Sequence, residues 1–255
     1  MATKGINNMN HEITSLVHPI VKHLVKLRQN TDYRYDHQSV IIEGIKTVKE
    51  VAQTHPIKTL VAYDGTFIPR GVKGKEVFIV NEAIMKKVSG MQTPEGILAE
   101  VEMPKPASLN GLRYLLVLDR VSDPGNVGTI LRTALALGWE GVFIVNESCD
   151  PFNEKSLRAS RGATFRLPIA FGTWKDVKKI VDENKLTPLV ADLNGKDLSE
   201  IKPAKGIALV LSNEAHGPSE EAQKLCQKVT VPMPGKMESL NVSIAGGILM
   251  YALRK

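Results

Sequence analysis

Leu115-Leu116-Val117-Leu118-Asp119-Arg120-Val121-Ser122-Asp123-Pro124-Gly125-Asn126-Val127-Gly128-Thr129-Ile130-Leu131-Arg132 is the stretch whose reading decides the fold. It opens with four apolar residues in a row, which suits a strand buried on both faces and hence a parallel sheet. A polar turn follows, with Pro124 and Gly125 ending the strand. Val127, Ile130, Leu131, Ala134 and Leu135 then recur at i, i+3, i+4, i+7, i+8, the apolar stripe of a helix. In open α/β sheets ligands bind beyond the carboxyl ends of strands, so residues 119–128 are the first place to look for chemistry. Arg132 falls off the apolar stripe, as either a solvated or a functional arginine. Asn126 either caps the helix or faces a ligand.

The same grammar recurs downstream. Val142–Val145, Pro188–Ala191 and Ile207–Leu211 are short apolar runs separated by helical patterns, which predicts a doubly wound α/β domain. After the last run comes Ser212-Asn213-Glu214-Ala215-His216-Gly217-Pro218. Glu214 could serve as a catalytic acid, a ribose-binding carboxylate or a loop organiser. His216 is the one histidine of residues 107–255, and no second ligand at metal spacing accompanies it. A third segment runs from Val231-Pro232-Met233-Pro234-Gly235 through Ser239-Leu240-Asn241-Val242-Ser243-Ile244-Ala245 into a final helix. Ser239 and Asn241 are both candidate N-caps. Gly246-Gly247 inside that helix costs about 1 kcal/mol per glycine relative to alanine. That cost predicts a close helix–helix contact, within the chain or across a dimer.

Upstream, Met103-Pro104-Lys105-Pro106-Ala107-Ser108-Leu109-Asn110-Gly111 favours an extended connection and places a domain boundary between residues 106 and 107. Residues 1–106 read as a small α/β unit. It comprises an amphipathic basic helix (19–28), strands at 39–42, 58–62, 77–80 and 96–101, and helices at 45–52 and after Asn81. Lys22, Lys26 and Arg28 lie off the apolar face of the first helix, placed for RNA phosphates or simply for water.

Composition narrows the classes. The chain has 255 residues, 43% hydrophobic and 24% charged, which excludes a disordered, collagen-like or membrane-bundle chain. Its net charge of +6 permits a polyanionic partner. The surplus is shared: 14 basic and 11 acidic residues before residue 107, 19 and 16 after. Two cysteines, Cys149 and Cys226, exclude a disulfide scaffold and fit a reducing compartment. The first residues lack the apolar core of a signal peptide and no run is long enough for a bilayer, so the expectation is a cytoplasmic protein. Gly-x-Gly-x-x-Gly after the first strand, a Walker lysine and a Gly-x-Ser-x-Gly elbow are all missing, which argues against a nicotinamide dehydrogenase, a P-loop enzyme and an α/β-hydrolase.

Taken together, the three loop segments resemble the SpoU/TrmH family of RNA ribose 2′-O-methyltransferases, within the SPOUT superfamily. Ser160-Arg161-Gly162-Ala163-Thr164-Phe165-Arg166-Leu167-Pro168 between them is similar to the family as well. Residues 1–106 resemble the L30e-like substrate-binding domain often fused ahead of it, through Ile42-Glu43-Gly44 and Thr93-Pro94-Glu95-Gly96-Ile97-Leu98-Ala99. The resemblance implies an α/β-knot catalytic domain with a trefoil knot, S-adenosylmethionine bound in that knot, and a homodimer. Carried over residue by residue, it implies a cofactor pocket at Gly195, Ser212, Gly217, Val231, Met233 and Leu240, and a functional polar set of Asn126, Arg132, Glu214, Ser239 and Asn241. Ser212-Asn213 stands where the family commonly has glycine.

The implied reaction is in-line attack of a ribose 2′-oxygen on a sulfonium methyl group, which needs alignment and proton removal but no metal. A guanidinium is a poor base at neutral pH, so the favoured role of Arg132 is to stabilise the developing alkoxide and bind the adjacent phosphate, with direct proton removal by Arg132 as the alternative. Structured RNA is the implied substrate, ribosomal RNA ahead of transfer RNA. A SPOUT base methyltransferase and a non-catalytic RNA-binding or ribosome assembly factor are the competing readings.

Overall fold

The computed structural model describes residues 10–202, 204–213 and 215–254. They form two compact units: one runs to Pro104 and includes Phe152–Glu154, and the other holds the remainder. Residues 103–113 between the two sheets contain no helix or strand, as the two prolines require.

The first unit comprises β1 (Asn10–Ile13), α1 (Pro19–Gln29), α2 (Thr31–His37), β2 (Ser39–Glu43), α3 (Ile45–Val51), β3 (Ile57–Ala62), β4 (Gly74–Val80), α4 (Glu82–Ser89) and β5 (Ile97–Glu102). Its five strands are ordered β1-β4-β3-β5-β2. The parallel pairs are β1–β4 and β3–β4, and β5 runs antiparallel to both β3 and β2. Val21, Leu24 and Leu27 of α1 are buried while Lys22 and Lys26 are exposed, as the periodicity predicts.

Two elements depart from the sequence reading. The edge strand β1 lies ahead of the first element read from the sequence, and its apolar contribution to the core is Ile13. Helix α2 has no apolar stripe. Asn30 caps it by accepting from the Tyr33 amide (2.8 Å), and its buried residue is Arg34. That guanidinium donates to the Leu27 and Arg28 carbonyls (both 3.2 Å) at the end of α1, where a cation meets the negative end of the helix dipole. On β5, burial raises the Glu100 carboxyl, but hydrogen bonds from His23 and Thr59 outweigh it and hold the group below its ordinary value.

The second unit comprises β6 (Tyr114–Asp119), α5 (Pro124–Ala136), β7 (Gly141–Val145), α6 (Glu154–Ser160), β8 (Ile169–Gly172), α7 (Trp174–Asn184), β9 (Thr187–Asp197), β10 (Ile207–Ser212), α8 (Glu220–Leu225), β11 (Gln227–Thr230) and α9 (Val242–Leu253). Its strands are ordered β11-β9-β10-β6-β7-β8, and each neighbouring pair runs parallel. Both faces are covered, which explains the unbroken apolar runs. Leu116 and Leu118 pack with Ile130 and Leu131 of α5 and Leu249 and Met250 of α9. Leu115 and Val117 pack on the opposite side with Val177 and Val181 of α7 and Ala222 of α8. The short strands β8 and β11 escaped the sequence reading because their apolar runs are brief and interrupted.

The glycine pair of α9 resolves into two different contacts. A Cβ on Gly246 would come within 2.5 Å of the Leu211 Cδ1 on β10, so the close approach there is helix to sheet rather than helix to helix. A Cβ on Gly247 would meet nothing nearer than the Thr133 Cγ2 of α5, at an ordinary 3.6 Å. Gly246→Ala should therefore cost about 1–3 kcal/mol by overpacking. Gly247→Ala should stabilise by about 0.5–1 kcal/mol through helix propensity. Urea denaturation of the two variants checks both signs.

Candidate active site

The sheet changes direction at β6 and β10. From β6 the chain builds outward through β7 and β8, then returns to place β10 on the other side of β6. Ser212 pairs with Asp119 in that register, so the loops leaving both strands emerge side by side. Such a switch point is where α/β sheets open a crevice.

A cavity of about 380 Å³ lies there, lined by Ser212, Gly217, Val231, Met233, Ser239 and Leu240 among others. A second cavity of about 230 Å³ adjoins it, with Ser122, Asp123 and Asn126 of the β6–α5 turn in its wall. Asn213, His216 and Val242 line both.

The turn into α5 is built by Asp123, not Asn126: the Asp123 Oδ1 accepts from the Asn126 amide at 2.7 Å, and Pro124 takes the first helical position. The Asn126 side chain is thereby left to reach across to α9, where its Oδ1 accepts from the Asn241 Nδ2 at 2.9 Å. Asn241 also caps α9, accepting from the Ser243 amide at 2.9 Å. One residue thus starts the last helix and ties it to the first loop. Ser239 is not a cap.

Of the polar set, Asn126 and Asn241 are brought into contact and Ser239 reaches the larger cavity. Arg132 is exposed on α5 and lines neither cavity. Glu214 lies outside the described residues. Of the cofactor set, Gly195 alone stands apart from the cavity wall. A Cβ there would lie 2.6 Å from the Val229 backbone nitrogen, so glycine is required where β9 passes β11.

Several contributors were invisible in the sequence because their partners are distant along the chain. The Asn213 Nδ2 donates to the Arg120 carbonyl (3.1 Å) and the Ser122 Oγ (3.2 Å), joining the two loops. Its Oδ1 accepts from the amides of Ala215 (2.8 Å) and His216 (3.1 Å). The Asn213 side chain is therefore a brace between the two loops. Asp192 and Lys228, an ion pair at 2.9 Å, stand in the wall of the larger cavity. The fully buried Asp119 accepts from the Ser219 amide at 2.8 Å and lies 3.4 Å from the Trp174 Nε1. Burial, with Asp119 nearby, pushes the Cys226 thiol up to about 12, which makes it inert. Among the described residues no group of acidic, cysteine and histidine side chains could hold a metal ion.

Residues 113–251 match the SpoU rRNA Methylase family. The chain belongs to that family. Residues 18–99 match the MRM3-like substrate binding domain. A curated relative, the 23S rRNA (guanosine(2553)-2′-O)-methyltransferase RlmP of Bacillus subtilis, is 33% identical, with 95% of this chain and 99% of that protein covered. The 23S rRNA (uridine(2479)-2′-O)-methyltransferase of Streptomyces viridochromogenes is 28% identical over 83% of this chain and 80% of its own length. The crystal structure of an AdoMet-bound rRNA methyltransferase from Sinorhizobium meliloti superimposes with a TM-score of 0.85 at 31% identity, covering 95% of this chain and 97% of that one.

The Asn213 brace is open to test. Asn213→Ala should raise amide exchange at Ala215 and His216 by about tenfold, the loss expected for one hydrogen bond each. Hydrogen-exchange mass spectrometry over residues 212–219 reads it.

Proposed function

We propose that the protein transfers a methyl group from S-adenosylmethionine to a ribose 2′-hydroxyl of ribosomal RNA. The observation that carries this reading is the pair of adjoining cavities at the β6–β10 switch point, inside a domain of the SpoU family. The larger cavity lies within the size range of small-molecule sites, and its wall combines apolar Val231, Met233 and Leu240 with polar Ser212 and Asp192, which suits a nucleoside carrying an amino-acid tail. Ser212, Gly217, Val231, Met233 and Leu240 hold the cofactor, largely through backbone groups, and Gly195 supports that wall from the neighbouring strand. S-adenosylmethionine supplies a methyl group already activated by a positive sulfur.

The protein's own residues supply orientation. Asn126, fixed by Asn241, presents its amide beside the smaller cavity, where a ribose would sit, and Ser239 and Glu214 shape the loops around the cofactor. Ribosomal RNA is favoured over transfer RNA because the relatives that match along most of the chain are named as 23S rRNA enzymes. Residues 1–106 act as the RNA-binding module and 107–255 as the methyltransferase. The reading includes a cytoplasmic setting, and no helix of the described residues is long and apolar enough to cross a membrane.

The homodimer belongs to the same reading. Ile244, Ile248 and Tyr251 of α9 are 54%, 40% and 75% exposed and spaced i, i+4, i+7, an apolar stripe suited to a second copy. Arg132 is itself exposed on α5, the helix packed beside α9. Arg132 then stabilises the developing alkoxide at a site completed across the dimer.

Mapping 2′-O-methyl positions in ribosomal RNA from cells lacking the protein should show one site lost. Nuclease digestion and mass spectrometry of the product should place the methyl on ribose; a methylated base would overturn the reading. Arg132→Ala should lower methylation at least about a thousandfold while S-adenosylmethionine affinity, by calorimetry, stays within about threefold of wild type.

A further inference from the structure

Residues 1–106 carry more rings at one corner than their core needs. Where α1 meets α2, His23, Tyr33 and His37 stand together. Their ring centroids are 5.7 Å apart for His23–Tyr33, 5.4 Å for His23–His37 and 3.9 Å for Tyr33–His37, the last pair stacked at 26°. Tyr33 packs partly against the apolar core, whereas His37 is exposed and leaves the face turned away from Tyr33 open.

The stack is held in place by its own bonds. The buried Glu100 carboxylate accepts from the Thr59 hydroxyl at 2.8 Å and lies 3.3 Å from the His23 Nε2. With Nε2 turned to Glu100, the His23 Nδ1 accepts from the Tyr33 hydroxyl at 3.0 Å. The His37 Nδ1 donates to the Tyr33 carbonyl at 2.9 Å, which fixes its ring over Tyr33. A stack held this way loses little freedom when a further ring joins it.

Charge gives the stack a direction. The Lys26 ammonium lies 5.4 Å from the Tyr33 ring centre, and Lys22 stands one turn before it on α1; both are exposed. Asp32 and Asp36, also exposed, each precede a stacked residue and lie about 100° from it around α2. A polyanion crossing the stack is drawn along α1 and repelled from the acidic side of α2. An open ring face beside a row of cations suits an unpaired nucleotide, with its flat base and anionic backbone.

We propose, on the reading of residues 1–106 as the RNA-binding module, that the Tyr33–His37 stack is its base-binding platform. An unpaired base of the ribosomal RNA stacks on the outer face of His37, and the flanking phosphates lie against Lys22 and Lys26. Every base has a π-face, so the platform holds a single-stranded stretch in place without selecting its sequence.

The experiment uses the full-length protein and ribosomal RNA from cells lacking it. His37→Ala should weaken RNA binding, measured by filter retention, about 5- to 150-fold, the loss of one stacked base. KM for the RNA should rise by a similar factor while kcat and S-adenosylmethionine affinity stay within about threefold of wild type. His37→Tyr restores a ring and should bind within about threefold of wild type; a role resting on the imidazole's charge would not be rescued. Lys22→Gln and Lys26→Gln should each lower the slope of log affinity against log salt by about 0.7, the value for one single-strand phosphate. Ultraviolet cross-linking of wild type should attach RNA to the tryptic peptide of residues 35–46. His37→Ala binding within about twofold of wild type overturns the platform. So does a failure of His37→Tyr to restore binding, an unchanged salt slope in both lysine variants, or cross-links confined to other peptides. Wild-type protein that neither binds nor methylates this RNA overturns the function itself. An active wild type beside an equally tight His37→Ala overturns the platform alone.

Discussion

The parallel pairing of β6 with β10 is the constraint on which the site depends. It aligns Asp119 with Ser212, and the loops that carry Asn126 and Asn213 leave the sheet just beyond that pair. The buried Asp119 carboxylate holds the start of α8 through the Ser219 amide, and Asn213 ties the following loop to Arg120 and Ser122. A buried carboxylate is tolerable only when its oxygens are satisfied, so the loops must close around it. The chemistry is therefore positioned by backbone register first and by side chains second.

The loops are then locked to the last helix. Asn241 caps α9 and bonds to Asn126, while Gly246 lets α9 lie directly on Leu211 of β10. A larger residue at 246 would lift the helix and with it the cavity wall formed by Val242, Ala245 and Leu249. Gly195 has the same function on the opposite side, where β9 passes the β11 backbone. Two glycines far apart in sequence thus set the spacing of one cavity.

Much of this was legible in residue order. The apolar runs marked β6, β7, β9 and β10, since a strand buried on both faces needs no alternation. The stripe from Val127 to Ala134 marked the buried face of α5, although Leu135 is only partly covered. Short elements were missed: β1, α2, β8 and β11 rest on neighbours rather than on their own pattern. Arg34 is the clearest case, a buried cation that reads as a surface residue until the carbonyls ending α1 are seen beside it.

The sequence by itself determined the strand–loop–helix order, the family and the loops that carry the chemistry, because apolar periodicity and loop motifs are local properties. Tertiary structure alone decided which loop residues meet. It paired Asn126 with Asn241 across 115 positions, made Asn213 a brace, set Asp192 beside Lys228 and put His216 at the junction of the two cavities. Those contacts arise from the order in which strands pair, and strand order is a long-range outcome of packing that no short stretch of sequence encodes.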